Sequence, residues 1–202
     1  LGGVQIGLQK RIPHGSGLGG GSADAAAVLK GLNRLYRTRL TVRELCEIGL
    51  SVGADVPFCL VGGTALVTGI GERIIPLERL MSCYFVVAKP PASVCTKDAF
   101  EAYDTVGSTE HPDINQLIAA LYQKRLQFFS NQTRNVLEAA IQLPEIEAIR
   151  QTMLSGGALG SRMTGSGSAV FGIFKEKRLA ADCVQMLEDG KNQVYLCKPC
   201  TK

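Results

Sequence analysis

The chain has 202 residues, of which 46% are hydrophobic and 20% are charged, values typical of a globular protein with one large or two small domains. The formal net charge is +4, but the basic residues are scattered along the sequence rather than gathered into a stripe. Nucleic acid is therefore not an expected partner. The apolar runs are too short to cross a bilayer, so no membrane partner is expected either.

The cysteine content argues against a disulfide framework. There are seven cysteines, an odd number, and several stand in apolar runs, as Cys59 does. This usage is typical of a reducing cytosol. Cys197 and Cys200 have the spacing of a redox pair, but they lie near the end of the sequence and no second pair is present to complete a zinc site. We expect neither catalysis nor metal binding there.

The sequence opens with a pattern typical of a β-strand. Over residues 3–10, Val4, Ile6 and Leu8 alternate with small or polar residues. The pattern is under way from the first residues, without an initiator methionine or a signal-peptide pattern. We therefore expect a strand at 1–10 and a further segment before Leu1 in the natural protein.

A glycine-rich loop over residues 15–21 separates this strand from a helix predicted at 23–36, with Ser22 as its N-cap and Asp24 in its first turn. Glycines leave backbone amides uncovered, and a helix N-terminus adds partial positive charge. Together these features hold phosphate oxygens. The alternative, a flexible linker, would not lead directly into a capped amphipathic helix. The sequence therefore predicts a phosphate site.

Two common phosphate loops fit this segment poorly. Residues 15–20 match the dinucleotide pattern G-x-G-x-x-G, but no second strand ends in an acidic residue about 20 positions later. The Walker pattern is absent because no Gly-Lys-Ser/Thr closes the loop. A third kind of phosphate loop is needed.

The remaining periodicities predict an α+β fold with a domain boundary near Met81, giving domains 1–81 and 82–202. Thr41 is the predicted N-cap of a second helix. The other predicted elements are a helix at 42–50, a hairpin at 64–68 and 73–77, a strand at 84–88, helices at 97–104, 113–124, 133–142 and 144–155, a strand at 169–174, a helix at 177–189 and a strand at 193–196.

Two further segments are candidates for chemistry, and each has a structural alternative. Asp55 stands among small and apolar residues, either as a turn-stabilising side chain or as a desolvated carboxylate that accepts a proton from an attacking hydroxyl. Residues 163–168 form a second small-residue loop, either a tight turn or a second wall of the phosphate site. The residues alone leave both questions open.

Residues 13–26, read together with 53–58, 69–72 and 164–168, resemble the motifs of the GHMP kinases in order and spacing. Most members of that family carry Gly-Leu-Gly-Ser-Ser-Ala-Ala, whereas Gly-Leu-Gly-Gly-Gly-Ser here is similar to the branch that phosphorylates a cytidylated methylerythritol in non-mevalonate isoprenoid synthesis. The resemblance implies an N-terminal domain similar to domain 2 of ribosomal protein S5 and a ferredoxin-like C-terminal domain.

The resemblance also implies roles for individual residues. Asp55 matches the catalytic aspartate, and Ser22 is the candidate ligand for Mg²⁺. The residues expected at the ATP phosphates are Pro13, His14, Gly15, Ser16, Gly17, Leu18, Gly19, Gly20, Gly21, Ser22 and Ala23, with Gly165, Ser166 and Gly167 nearby and Thr96 at the substrate.

The expected activity is transfer of the ATP γ-phosphoryl group to the 2-hydroxyl of the cytidylated substrate, with ATP and Mg²⁺, in the bacterial cytoplasm, by a monomer or a homodimer. The alternatives are another GHMP kinase, of the mevalonate or homoserine type, and an inactive nucleotide-binding fragment. The family's catalytic lysine lies in an N-terminal segment that these residues do not include. We therefore expect little kinase activity from residues 1–202 alone.

Overall fold

The N-terminal part of the chain combines three helices with one hairpin. The computed structural model describes residues 2–107 and 111–200. Helices α1 and α2 pack with α3 around a small core of Ala26, Leu45, Val56 and Leu60. The elements of this part are α1 (Gly20–Leu35), α2 (Val42–Val52), α3 (Val56–Val61), β1 (Ala65–Thr68) and β2 (Arg73–Pro76), of which β1 and β2 form the predicted antiparallel hairpin.

The two long N-terminal helices begin differently. At α2, the Thr41 hydroxyl oxygen accepts a hydrogen bond from the Glu44 amide, and the Glu44 carboxylate accepts one from the Thr41 amide, which confirms the predicted cap. The predicted cap of α1 is wrong, because the helix starts at Gly20 with Gly19 as its N-cap. Asp24 consequently lies beyond the first turn, where it pairs with Lys10.

The strand predicted at 1–10 is also wrong over the residues that the structure describes, which begin at residue 2. Residues 2–11 carry no regular secondary structure, and Val4, Ile6 and Leu8 are exposed. Alternation places side chains on two faces but does not supply a partner, and a strand forms only when a neighbouring backbone hydrogen bonds to it. Within the described ranges, no strand pairs with this segment.

The C-terminal part is a four-stranded antiparallel sheet covered by helices, with strand order β4-β5-β3-β6. Hairpin β4–β5 and crossovers on both sides give the split β-α-β arrangement of a ferredoxin-like fold, as expected. Its elements are β3 (Tyr84–Lys89), α4 (Thr96–Val106), α5 (Ile114–Tyr122), α6 (Leu126–Gln132), a 3₁₀ helix (Val136–Ala139), α7 (Pro144–Ser155), β4 (Gly160–Met163), β5 (Val170–Phe174), α8 (Lys177–Leu187) and β6 (Gln193–Cys197).

The main hydrophobic core lies between this sheet and helices α7 and α8. Val86, Val170 and Phe174 of the sheet are fully buried against Met153 of α7 and Cys183 of α8. Burial raises the pKa of the Cys183 thiol to about 11, so this cysteine behaves as an apolar core residue. All seven cysteines are free.

Two predictions for this part need correction. The helix predicted at 133–142 is only the short 3₁₀ helix, because Asn135 caps it through the Leu137 amide and also donates to the carbonyls of Met163 and Gly165. Strand β4 and helix α6 were not predicted. Strand β4 reads Gly-Ser-Arg-Met, without the alternation that marks a strand, and its pairing with β5 defines it.

Within the described residues, no helix is both long and apolar enough to cross a membrane.

Candidate active site

The glycine loop is held in shape by its own serine. Ser16 is buried, its hydroxyl donates to the Pro13 carbonyl at 2.7 Å, and the same oxygen accepts from the Leu18 amide at 3.3 Å. A hydroxyl that bonds to nearby backbone groups fixes a turn. Ser16 therefore stabilises the loop from inside, and its oxygen is committed to the protein rather than to a ligand.

The loop ends in a helix start that no side chain caps. The N-cap residue is Gly19, which has a φ of 65° and no side chain to cap the helix. Ala23 is the first residue whose amide makes an intrahelical hydrogen bond, to the Gly19 carbonyl at 2.9 Å. The amides of Gly20, Gly21 and Ser22 precede that first intrahelical bond and have no partner in the helix. Three amides and a helix dipole therefore meet at one point, which is an anion-binding arrangement.

The second small-residue loop packs directly on the first. The Thr164 hydroxyl donates to the Gly17 carbonyl at 2.6 Å, and the Ala169 amide donates to the Ser16 carbonyl at 3.1 Å. Gly17 has a φ of 71°, and a Cβ there would overlap the Thr164 carbonyl oxygen. The approach of the two backbones therefore requires glycine at position 17. Residues 163–168 are a wall of the glycine loop and not an isolated turn.

Thr96 and Ser166 meet at the edge of this junction. The two hydroxyls lie 3.0 Å apart, Thr96 is exposed at the start of α4, and Ser166 is buried. This contact joins the C-terminal domain's first helix to the second loop. It places Thr96 beside the predicted phosphate loops, at a surface open to a ligand.

Asp55 lies in a turn that approaches the first turn of α1. It is the N-cap residue of α3, but its carboxylate makes no capping hydrogen bond and the residue is exposed. The turn that carries it approaches Ser22, because a Cβ at Gly53 would lie 3.9 Å from the Ser22 Oγ. On its other side, a Cβ at Gly71 would overlap the Ala54 carbonyl, so the segment 69–72 packs against the same turn.

The two sequence interpretations of Asp55 both need correction. The carboxylate does not stabilise its turn through a cap, and it is not desolvated, since the small residues before it leave it open to solvent. Since this exposed carboxylate has no hydrogen-bond partner or ion pair among residues 2–107 and 111–200, it is available to a bound ligand. The structure thus brings the segment 53–55 to the first turn of α1 and leaves the acid free for an incoming group.

The remaining predicted residues differ in how far they are exposed. Pro13, Gly15 and Leu18 are partly buried within the loop, whereas His14 is exposed on it. Gly165 is exposed and Gly167 is buried at the turn that faces Gly17. No group of three or more His, Cys, Asp or Glu residues able to hold a metal ion is found among residues 2–107 and 111–200.

Sequence reasoning missed the residue that ends β3. Lys89 is only 5% exposed, and its ammonium donates to the carbonyls of Pro90 and Ala92, each at 2.7 Å. The signal was a lysine that follows a buried apolar strand directly and precedes two prolines. Burial lowers the pKa of this lysine.

Comparison with known proteins agrees with this geometry. Residues 2–63 match the GHMP kinases N terminal domain, and residues 109–192 match the GHMP kinases C terminal domain. A 4-diphosphocytidyl-2-C-methyl-D-erythritol kinase from Lachnospira eligens is 42% identical over 198 residues, which cover 96% of this chain and 69% of the relative. The chain belongs to the GHMP kinase family.

Solved structures of GHMP kinases share the fold. A crystal structure of 4-(cytidine 5'-diphospho)-2C-methyl-D-erythritol kinase superposes with a TM-score of 0.78 at 33% identity, covering 94% of this chain and 68% of that one. The homoserine kinase from Cytophaga hutchinsonii reaches the same TM-score at 23% identity, covering 94% and 69%. The second likeness concerns the fold alone. The chain is therefore a phosphotransferase of α+β fold, as its motifs predicted.

Proposed function

We propose that this GHMP kinase transfers the γ-phosphoryl group of ATP to the 2-hydroxyl of 4-diphosphocytidyl-2-C-methyl-D-erythritol in non-mevalonate isoprenoid synthesis. The observation that carries the proposal is the junction of two loops at an uncapped helix start, beside an exposed carboxylate. The name of the relative at 42% identity and that of the solved structure at 33% identity specify the acceptor.

The glycine loop accounts for the ATP side of the reaction. The amides of Gly20, Gly21 and Ser22 point along the axis of α1 toward any anion at its N-terminus, and the dipole of a 16-residue helix adds to their attraction. Phosphoryl transfer spreads charge over the γ-phosphate oxygens, so fixed amides there stabilise the transition state. Residues 13–23 are thus the proposed ATP-binding segment, with Gly165, Ser166 and Gly167 as the facing wall.

Asp55 accounts for the acceptor side. In the proposed step, the acceptor oxygen attacks the γ-phosphorus, the bond from that phosphorus to the β-bridging oxygen breaks, and the hydroxyl proton passes to the Asp55 carboxylate. Because this carboxylate is exposed and makes no capping bond, it is free to accept the proton. Thr96, at the opposite edge of the junction, is the proposed contact to the substrate.

Magnesium fits this arrangement as a companion of the triphosphate. The described residues contain no acidic cluster that would hold a cation without help from a ligand, so phosphate oxygens would supply most of its ligands. Ser22 would provide a hydroxyl ligand from the first turn of α1, and its neighbour Gly53 leaves room around that oxygen. Bound there, the ion would neutralise phosphate charge.

The proposed location is the bacterial cytoplasm. Seven free cysteines, among them Cys95 and Cys197 at exposed positions, suit a reducing compartment. Whether the protein is a monomer or a homodimer stays a prediction, as does the boundary near Met81.

The test is an ADP-release assay with ATP, Mg²⁺ and the cytidylated acceptor, run beside mevalonate and homoserine. The protein is assayed as residues 1–202 and as the same residues joined to the part of the Lachnospira eligens relative that they do not match. Turnover of the cytidylated acceptor, without turnover of mevalonate or homoserine, supports the proposal. Turnover of mevalonate or homoserine instead, or ATP binding by both forms without turnover, contradicts it.

A further inference from the structure

Lys89 is a buried cation without an anionic partner. It is 5% exposed, and none of the ion pairs among the described residues involves it. Burying a charge away from water is unfavourable unless other groups replace its solvation. A lysine in this position therefore indicates a specific set of acceptors that the fold maintains around the ammonium.

The acceptors come from the loop that follows β3. The ammonium donates to the carbonyls of Pro90 and Ala92 at 2.7 Å, and more weakly to that of Pro91 at 3.4 Å and to the Ser93 hydroxyl at 3.3 Å. Prolines carry no N–H, so Pro90 and Pro91 supply no backbone hydrogen-bond donor within the loop. The lysine ammonium is the donor there instead. The lysine side chain gathers three consecutive carbonyls around one cation, and this fixes the course of residues 90–93, which we call the Lys89 loop.

The Lys89 loop touches both loops of the candidate site. The Ser168 hydroxyl donates to the Ala92 carbonyl, which also accepts from Lys89. On the other side, a Cβ at Gly15 would lie 3.0 Å from the Ser93 Cβ, so Ser93 packs on the glycine loop. The three segments form one continuous contact.

The loop also sets the start of α4. Thr96, which opens this helix, follows the Lys89 loop after two residues and hydrogen bonds with Ser166 at 3.0 Å. A displacement of residues 90–93 would therefore move Thr96 relative to Ser166 and would release Gly15 from Ser93. Both effects would be felt at the predicted ligand positions rather than in the main core.

We propose that Lys89 is a positioning residue for the kinase reaction: its ammonium holds residues 90–93 against both the glycine loop and residues 164–168, and so fixes the ATP phosphate site and Thr96. The inference rests on the proposed function of the glycine loop. Because Lys89 is only 5% exposed and its ammonium donates to the loop carbonyls, it acts through the loop rather than on a ligand.

The experiment compares Lys89→Met, Lys89→Ala and the exposed control Lys177→Met. The dissociation constant of ATP is measured by calorimetry and the melting midpoint by circular dichroism. Removing the ammonium leaves the buried Pro90 carbonyl without this donor and the Ala92 carbonyl with Ser168 alone, so ATP affinity should fall roughly tenfold or more in both Lys89 variants. Lys177→Met should stay within about twofold of the parent, as exposed lysines contribute little.

Rescue separates positioning from a general loss of stability. In Lys89→Ala, n-propylammonium replaces the deleted atoms and should restore much of the ATP affinity, whereas tetramethylammonium, which has no N–H, should not. Lys89→Met keeps the space filled and should not respond. Where turnover is measured, KM for the acceptor should rise along with that for ATP, because Thr96 moves too.

Unchanged ATP affinity in folded Lys89→Met, or the absence of rescue in folded Lys89→Ala, would overturn the inference. If both variants fail to fold, Ser168→Ala takes their place, since it removes one bond between the loops. A weaker ATP complex at an unchanged melting midpoint then supports the inference, and equal affinity overturns it. ATP binding is measured without the acceptor, so failure of the parent to phosphorylate the acceptor contradicts only the proposed function.

Discussion

The two sides of the candidate site are built in opposite ways. On one side, the glycine loop and residues 164–168 are joined by backbone hydrogen bonds and approach so closely that Gly17 tolerates no Cβ. On the other side, Asp55 is exposed and its carboxylate makes no capping bond. The fold thus preorganises the junction of the two loops, whereas the acid is left open to a bound ligand. The two sides should therefore respond differently to substitution.

The largest effect is expected at the open side. Asp55→Asn removes the proton acceptor, so kcat should fall about a thousandfold, within the range for general-base residues. ATP affinity and the melting midpoint should stay at parental values, because the exposed carboxylate supports nothing in the fold. Initial rates of ADP release give kcat, titration calorimetry gives the ATP affinity, and circular dichroism gives the melting midpoint.

Asp182→Asn is the matched control, since Asp182 is exposed on α8 and pairs with the exposed Arg178. It should retain parental kcat. A large drop in ATP affinity for Asp55→Asn would show that the two sides are not independent.

The next effect is expected where the two loops meet. Gly17→Ala combines an unfavourable backbone angle with overlap of the Thr164 carbonyl, so the junction must open. ATP affinity should fall roughly a hundredfold, equivalent to about 2.7 kcal/mol. Gly190→Ala has a similar φ of 76° but open space around its Cβ, so it should lose stability without losing ATP affinity. Equal losses of ATP affinity in the two variants would mean that the close contact between Gly17 and the Thr164 carbonyl is unimportant for binding.

Gly21→Ala should separate stability from binding. A Cβ at Gly21 meets nothing in the protein, and alanine stabilises a helix relative to glycine by roughly 0.5–1 kcal/mol. The melting midpoint should therefore rise while ATP affinity falls about tenfold, because the new methyl group faces the phosphates. Gly31 lies in the same helix, and a Cβ there also meets no other atom, so Gly31→Ala should raise the melting midpoint without lowering ATP affinity. Unchanged ATP affinity in Gly21→Ala would contradict the phosphate assignment.

The smallest effect is expected for a single hydrogen bond. Thr164→Val leaves the Gly17 carbonyl without its donor, which should cost about 1 kcal/mol of unfolding free energy and weaken ATP binding about fivefold. Thr152→Val removes a comparable hydroxyl-to-carbonyl bond on α7, away from the loops. It should lose a similar or smaller amount of stability and none of the affinity. Equal loss of ATP affinity in both would point to a global effect.

The sequence predicted the parts of the molecule that local chemistry defines. The glycine loop before α1, the Thr41 cap and the hairpin of β1 and β2 all depend on neighbouring residues and were correct. The strand predicted at 1–10 was wrong over its described residues, because its existence depends on a pairing partner that alternation does not specify. Strand β4 was missed for the same reason, since β5 rather than its own sequence defines it.

The candidate site was predicted in composition but not in construction. Motifs indicated which residues meet, yet the exposure of Asp55 depends on how α3 begins, and the role of Lys89 depends on where its side chain turns after β3. Both are tertiary properties. The cap of α1 was misplaced by three residues because Ser22 is a favourable capping residue, whereas the glycine backbone at position 19 starts the helix without a side chain.

The central claim is that bare amides at the start of α1 bind the triphosphate. Titration of ATP and Mg²⁺ into ¹⁵N-labelled protein, followed by amide resonances, tests it most directly, with Gly190 as an internal reference. The account predicts that the largest shifts fall on Gly20, Gly21 and Ser22, with smaller ones at Gly165 and Ser166. Saturable ATP binding that leaves the amides of residues 19–22 unshifted would contradict it.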